Sequence, residues 1–416
     1  MKIAQVAPLY ESVPPKTYGG TERVVHYLTE ALVAQGHQVT LFASADSQTS
    51  AELHAVVPEA LRLGRERRDP LAWHMLEIAD VARLAGKFDV VHFHLDYLHF
   101  PLWRHLQTPQ LTTLHGRLDL PDLAPLFTEF RDMAVASISD HQREPLPTAR
   151  WLGTVYNGLP SDLYDFQPQP GDYLAFLGRM SPEKGPETAI EIALRVGMPL
   201  RMAAKVDPVD REYFEARIRP WLEHPLIEFI GEVDEVGKNA LLGGARALLF
   251  PIAWPEPFGL VMTEAMACGT PVIAFRQGSV PEVMAEGVTG FIVEDLDAAV
   301  AAVGRLDRID RGDCRRHFEQ HFSAERMAQG YVDLYHSLIA STGAAVDDRR
   351  PTRAAERLRE PVPDRAADRA PERIPTAPHH RPIIGRQPLS SLRAATLAGE
   401  RFVSDGPLDD WSGRDG

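Results

Sequence analysis

One pattern limits the fold more than any other: an alternation of short apolar runs and amphipathic stretches that is played twice. In the first 160 residues KIAQVA, QVTLFA, DVVHFH, QLTTLH and AVASIS read as strands, and TERVVHYLTEALVAQG reads as a helix ended by Gly36. Strands that are apolar throughout and separated by helices call for a parallel sheet covered on both faces. The rhythm then stops. LPSDLYDFQPQPGD, rich in Pro and Asp and without a period, reads as a linker between domains. Beyond it YLAFLG, PLRMAAK, LIEFIG, ALLFP, PVIAF and GFIV read as strands and ETAIEIALRVG as a helix. A chain of 416 residues has room for two or three domains of about 150 residues. The pattern predicts two doubly wound α/β domains of Rossmann-like type, residues 1–160 and 161–340, facing a central cleft.

From Ser341 to Gly416 the composition changes to 13 Arg, no Lys, 12 Asp plus Glu and nine Pro, with Phe402 and Trp411 as the aromatic residues. So little apolar surface does not offset the entropy of ordering, and residues 341–416 are expected to form a disordered tail. The formal net charge of the chain is −14, which argues against non-specific nucleic-acid binding. Two cysteines, Cys268 and Cys314, are too few for a disulfide framework or a four-ligand zinc site. The N-terminal residues lack the apolar core of a signal peptide, and no apolar stretch is long enough to span a bilayer, so a cytoplasmic location is expected.

Ligands of open α/β sheets bind just beyond the carboxyl ends of the strands, so polar residues there carry the most information. FLGRMSPEKG places Arg179 and Lys184 on one such loop, with Lys184 near the start of a helix. Two cations beside a helix N-terminus make a seat for a diphosphate. PEPFGLVMTEA follows another strand. Its helix is predicted to start near Phe258, with Pro257 just before it, so Glu256 lies in the loop and Glu264 about two turns inside. Eight residues of helix rise about 12 Å. A retaining glycosidase pair sits about 5 Å apart, so these carboxylates read as two separate grips on a long ligand.

These residues, with YGGTERVV, TLHG, VYNGLP and GVTGFIV in the same order, resemble glycosyltransferase family 4, whose architecture is GT-B. The resemblance covers roughly residues 1–340. It implies a retaining, metal-independent transfer of a hexose from a nucleotide-diphosphate sugar of the UDP-glucose or GDP-mannose type. The acceptor is unidentified, with a carbohydrate favoured. The first domain would bind the acceptor and the second the donor, with the last helix packed back on the first domain. The resemblance also gives roles. Glu264 would hold the ribose hydroxyls, and Glu256 the donor sugar with the backbone N–H groups of Phe258 and Gly259. Arg179 and Lys184 would bind the diphosphate. Gly19 and Gly20 would let the backbone approach those phosphates, and His115 would sit near the reacting carbon or the acceptor. The alternatives are a sugar-nucleotide epimerase of the same architecture and a non-catalytic nucleotide-sugar-binding protein. A dinucleotide oxidoreductase is disfavoured, since no G-x-G-x-x-G follows a strand.

Other features take plainer readings. Asp295 and Asp297 form a D-x-D that reads as the opening of a surface helix. His92, His94, His99, His105 and His115 are read as lining strand ends, with metal binding the weaker reading, and no metal site is expected. RLGRERRDP, Arg62 to Pro70, reads as a solvated loop, with peripheral membrane contact the weaker reading. Tyr97, Phe100, Trp103 and Phe127 are candidates for stacking on a sugar, though packing is the expected use for most.

Overall fold

The computed structural model describes residues 1–346 except 17, 18, 63 and 65–67, with the side chains of 342–346 also outside the description. The first sheet has seven strands in the order β3-β2-β1-β4-β5-β6-β7. They are β1 Lys2–Val6, β2 Gln38–Ser44, β3 Glu52–Val57, β4 Val90–Phe93, β5 Gln110–Thr113, β6 Ala134–Ser137 and β7 Arg150–Thr154. The second sheet has six strands in the order β10-β9-β8-β11-β12-β13. They are β8 Leu174–Arg179, β9 Leu200–Lys205, β10 Ile227–Gly231, β11 Ala247–Phe250, β12 Val272–Phe275 and β13 Gly290–Val293. Every pairing in both sheets is parallel.

Two strands were not anticipated, β3 and β7, and they are the two edges of the first sheet. ELHAVV and RWLGT are largely half-buried, with one charged residue at each start. Edge strands need no continuous apolar run, because one side and often one face meet water. The helix after PEPFG begins at Leu260, two residues later than expected, because Gly259 holds a left-handed φ of 77°. A Cβ at Gly259 would sit 2.9 Å from Met262 Cε and 3.0 Å from the Phe250 ring, so the turn suits glycine alone. Asp295 caps the helix Leu296–Val303, accepting from the Ala298 N–H at 2.8 Å.

The last helix runs Ala324–Val346, past the expected end at residue 340. It lies against the helix Gly20–Ala34 and against β5. The remainder of the Pro- and Arg-rich tail lies outside the described residues. One continuous apolar core joins the inner layers of both sheets, from Ile3, Val24 and Leu28 through Leu159 and Tyr331 to Met262 and Val272. A second core covers the other face of the first sheet and contains Phe100, Trp103 and Phe127. Those three rings are fully buried, so they pack and are not free to meet a sugar, while Tyr97 stays half-buried. Among the described residues no helix is long and apolar enough to cross a membrane.

Candidate active site

The second-lobe loops bring the expected charges together, but as pairs. β8 ends in Arg179, whose guanidinium hydrogen-bonds the Glu183 carboxylate and lies 3.3 Å from Asp210 Oδ2. Lys184 closes a short turn, Pro182–Lys184. Gly185 follows with a φ of 70°, and a Cβ there would stand 2.1 Å from the Pro251 carbonyl oxygen. Glycine therefore lets this loop lie directly on the chain leaving β11. The Lys184 ammonium hydrogen-bonds Glu256, and it sits 4.9 Å from the centre of the Trp254 ring. Trp254 Nε1 donates to the same Glu256 oxygen at 2.9 Å. Arg179 and Lys184 are thus not two bare cations: each is matched to carboxylates in a mostly buried loop cluster, where an unmatched charge is costly.

Glu264 lies in the helix Leu260–Ala267, whose residues from Met262 onward are all buried. It is 2% exposed. One oxygen, Oε1, accepts from Lys238 Nζ at 2.9 Å, while the buried Oε2 has no hydrogen-bond partner among the described residues. Lys238 also lies 3.3 Å from Glu235 Oε1. Glu235 in turn takes a hydrogen bond from the Tyr164 hydroxyl and pairs with Arg23. The Glu264, Glu235 and Lys238 cluster therefore reaches across to Arg23, in the first turns of the helix Gly20–Ala34. A second bridge joins the sheets: the Glu282 carboxylate accepts from the backbone N–H groups of Asp140 at 2.6 Å and His141 at 2.8 Å. None of Arg23, Tyr164, Glu235, Lys238 or Glu282 was singled out from sequence. Glu235 lies 71 residues from Tyr164 and 212 from Arg23, Glu282 lies 142 from Asp140, and Lys238 meets Glu264 across 26, so no local spacing signals these pairs.

On the first lobe Gly19 has a φ of 157°, and Gly20 starts its helix. A Cβ at Gly20 would lie 3.9 Å from Leu260, the first residue of the Glu264 helix, so the two helix starts are neighbours. Glu22, in that first turn, is buried. Burial pushes its carboxyl up to about 7, and Glu11 adds to the rise. Arg62 Nη1 lies 3.6 Å from Glu11, and its guanidinium stands over the Tyr10 ring. The start of RLGRERRDP therefore turns inward, whereas residues 63 and 65–67 lie outside the described residues.

His115 follows β5 and is half-buried. Its Nε2 lies 2.9 Å from His94 Nδ1. Burial lowers the His115 imidazole to about 4, and it holds His92 and His94 well below the usual histidine value, so all three are neutral at pH 7. His99 stacks on Phe93 with centroids 3.6 Å apart and bonds Thr112 at 2.9 Å, away from this group. His94 bonds His115 and Gln5, and His92 bonds Thr113 and Tyr335. Among the described residues no group of His, Cys, Asp and Glu is placed to hold a metal ion.

Two parallel, doubly wound sheets with charged loops at their strand ends define the GT-B class. Residues 18–152 match the family model described as Glycosyltransferase Family 4, and residues 166–317 match Glycosyl transferases group 1. The chain belongs to glycosyltransferase family 4 and has the GT-B fold. The glycogen synthase of Mycobacterium tuberculosis is 28% identical over 363 residues, covering 74% of this chain and 86% of its own. The phosphatidyl-myo-inositol mannosyltransferase of Mycobacterium leprae is 27% identical over 346 residues, covering 73% and 86%. The crystal structure of AviGT4, a glycosyltransferase involved in avilamycin A biosynthesis, superposes with a TM-score of 0.64 at 27% identity, covering 82% of this chain and 98% of that one.

Proposed function

We propose that this glycosyltransferase moves a hexose from a nucleotide-diphosphate sugar, of the UDP-glucose or GDP-mannose type, to a carbohydrate hydroxyl with retention of configuration and without a metal. The observation that carries the donor reading is Glu264: a buried carboxylate with one oxygen on Lys238 and the other unsatisfied among the described residues. A buried charged acceptor lacking a donor is costly, and a ribose hydroxyl supplies the missing hydrogen bond. Glu256, in the loop, holds the sugar hydroxyls beside the backbone N–H groups of Phe258 and Gly259. Arg179 and Lys184 take the diphosphate, and Gly19 and Gly20 leave room for it. His115 stands beside the reacting carbon. Residues 1–160 then serve the acceptor and residues 161–340 the donor.

In this reaction the bond from the anomeric carbon to the phosphate oxygen breaks, and its electron pair leaves on the nucleoside diphosphate. The acceptor oxygen bonds to that carbon from the same face, and its proton passes to the departing phosphate. The barrier is set largely by the charge gathering on the leaving group. Lys184 meets that charge if it exchanges Glu256 for phosphate, since both are anions offering oxygen acceptors.

The direct test is nucleoside diphosphate release from UDP-glucose, UDP-galactose, UDP-N-acetylglucosamine, GDP-mannose and ADP-glucose, with and without a mixture of sugar acceptors. Release with one donor, stimulated by acceptor, is expected. Measurable nucleotide binding with no release from any donor under any acceptor would favour a non-catalytic binder.

A further inference from the structure

The face of the first sheet beneath the C-terminal helix carries an unbroken chain of neutral hydrogen-bonding groups. Gln5 on β1 is level with His92 on β4, and His94 and His115 lie two residues beyond His92 and Thr113, so all five share one face. Tyr331 and Tyr335, one turn apart on the helix Ala324–Val346, cover them. Gln5, His92, Thr113, Tyr331 and Tyr335 are each 0% exposed, and none of the chain is ionised at pH 7.

Each member has few protons to give, so the direction of the first bond fixes the direction of every bond after it. Thr113 Oγ1 donates to the Tyr331 hydroxyl at 2.9 Å. Its one proton is then spent, so its 2.7 Å contact with His92 Nε2 uses the imidazole N–H. A neutral His92 with hydrogen on Nε2 has a bare Nδ1, which takes the Tyr335 O–H at 2.7 Å. The Tyr335 oxygen accepts from Gln5 Nε2 at 3.1 Å. That fixes the Gln5 amide, whose Oε1 accepts from His94 Nε2 at 2.9 Å. His94 Nδ1 is then bare and accepts the Nε2–H of His115 at 2.9 Å.

We propose that Tyr335 is a positioning residue which, through Gln5 and His94, locks His115 in the tautomer with its proton on Nε2, so that His115 meets a sugar hydroxyl as an acceptor, through Nδ1. Nδ1 has no hydrogen-bond partner in the described structure. This assignment of the ligand rests on the proposed function; the tautomer itself does not. A helix contributed by the far end of the chain thereby sets the chemistry of a residue at the cleft.

The test is a ¹⁵N NMR spectrum of the full chain labelled at histidine, with the His115 resonances identified by their loss in His115→Asn. The parent is expected to show His115 protonated at Nε2, and Tyr335→Phe to show both tautomers. Thr113→Val removes the donor that sets the direction of the chain and is expected to act alike; it serves if Tyr335→Phe does not fold. Protonation at Nδ1 in the parent, or an unchanged tautomer in both variants, overturns the proposal. Transfer assays separate the two ideas. Tyr335→Phe is expected to cost about fivefold in kcat, and nothing further in a His115→Ala background, whereas a packing role would cost the same in both. A correct tautomer with no transfer from any donor would overturn the proposed function alone.

Discussion

The two lobes repeat one architecture and fill their polar interiors differently. Under the C-terminal helix the first lobe uses neutral groups, Gln5, His92, His94, Thr113, Tyr331 and Tyr335, all within a sealed sheet face. The second lobe uses ions: Arg179 with Glu183 and Asp210, Lys184 with Glu256, and Lys238 with Glu235 and Glu264. Position explains the difference. A sheet face covered by a helix excludes water, and a charge there would meet a large desolvation cost, while the neutral groups hydrogen-bond one another without that cost. The ions lie on or beside strand-end loops, where the side chains of Arg179, Lys184 and Lys238 keep 14–20% of their exposure. Neutral chains fix geometry, whereas ion pairs can trade a protein carboxylate for a ligand phosphate or hydroxyl.

Removing an ion from the second lobe should have the largest effect. Lys184→Ala is expected to lower kcat by about 10²–10³ while changing donor affinity much less, because its charge acts chiefly on the departing phosphate. Single-turnover rates and calorimetric affinity check this, and an unchanged rate would remove Lys184 from the chemistry. Arg23→Met tests the bridge between lobes. It leaves Glu235 with Lys238 and Tyr164 as partners, so the loss is expected to be about 2 kcal/mol, read as a fall in Tm of about 4–8 °C. An unaltered Tm would show that this pair holds nothing together.

Trp254→Phe is a finer cut. It keeps a ring beneath Lys184 and removes the Nε1–H donated to Glu256. A rise of about fivefold in KM for the donor is expected, with kcat nearly unchanged. The smallest effect should come from acid–base titration in the first lobe. Burial holds His115 at about 4, so its Nδ1 lone pair stays free as pH falls from 8 to 5 and is lost only as pH passes down through about 4. The pH profile of kcat/KM is therefore expected to carry no His115 limb between pH 5 and 8. A limb near 6.5 that disappears in His115→Asn would contradict the neutral network.

Much of this was legible in the sequence, for reasons that also explain the gaps. The central strands were read because parallel sheets covered on both faces need continuous apolar runs. β3 and β7 were missed because they are edges, and the Leu260 helix was placed two residues early because Gly259 takes a left-handed turn. Glu264 stood out as a carboxylate in an apolar helix, and burial bears out the oddity. The pairing of Lys184 with Glu256 spans 72 residues, and that of Arg23 with Glu235 spans 212, so neither leaves a trace in local spacing. The alternation in VVHFH and TTLHG places histidines on one sheet face. What it does not give is Tyr335, which arrives from 243 residues downstream of His92.

The central claim is that Glu256 and Glu264 grip different parts of one donor. Calorimetry with UDP against UDP-glucose, and GDP against GDP-mannose, tests it most directly on the parent, Glu264→Gln and Glu256→Gln. Glu264→Gln is expected to weaken both the bare diphosphate and the nucleotide sugar by about tenfold, since both carry the ribose. Glu256→Gln is expected to weaken only the nucleotide sugar, and to leave the bare diphosphate as tight or tighter because Lys184 loses a competing anion. Equal losses for both ligands in Glu256→Gln, or no loss in Glu264→Gln, would contradict the division of labour between the two carboxylates.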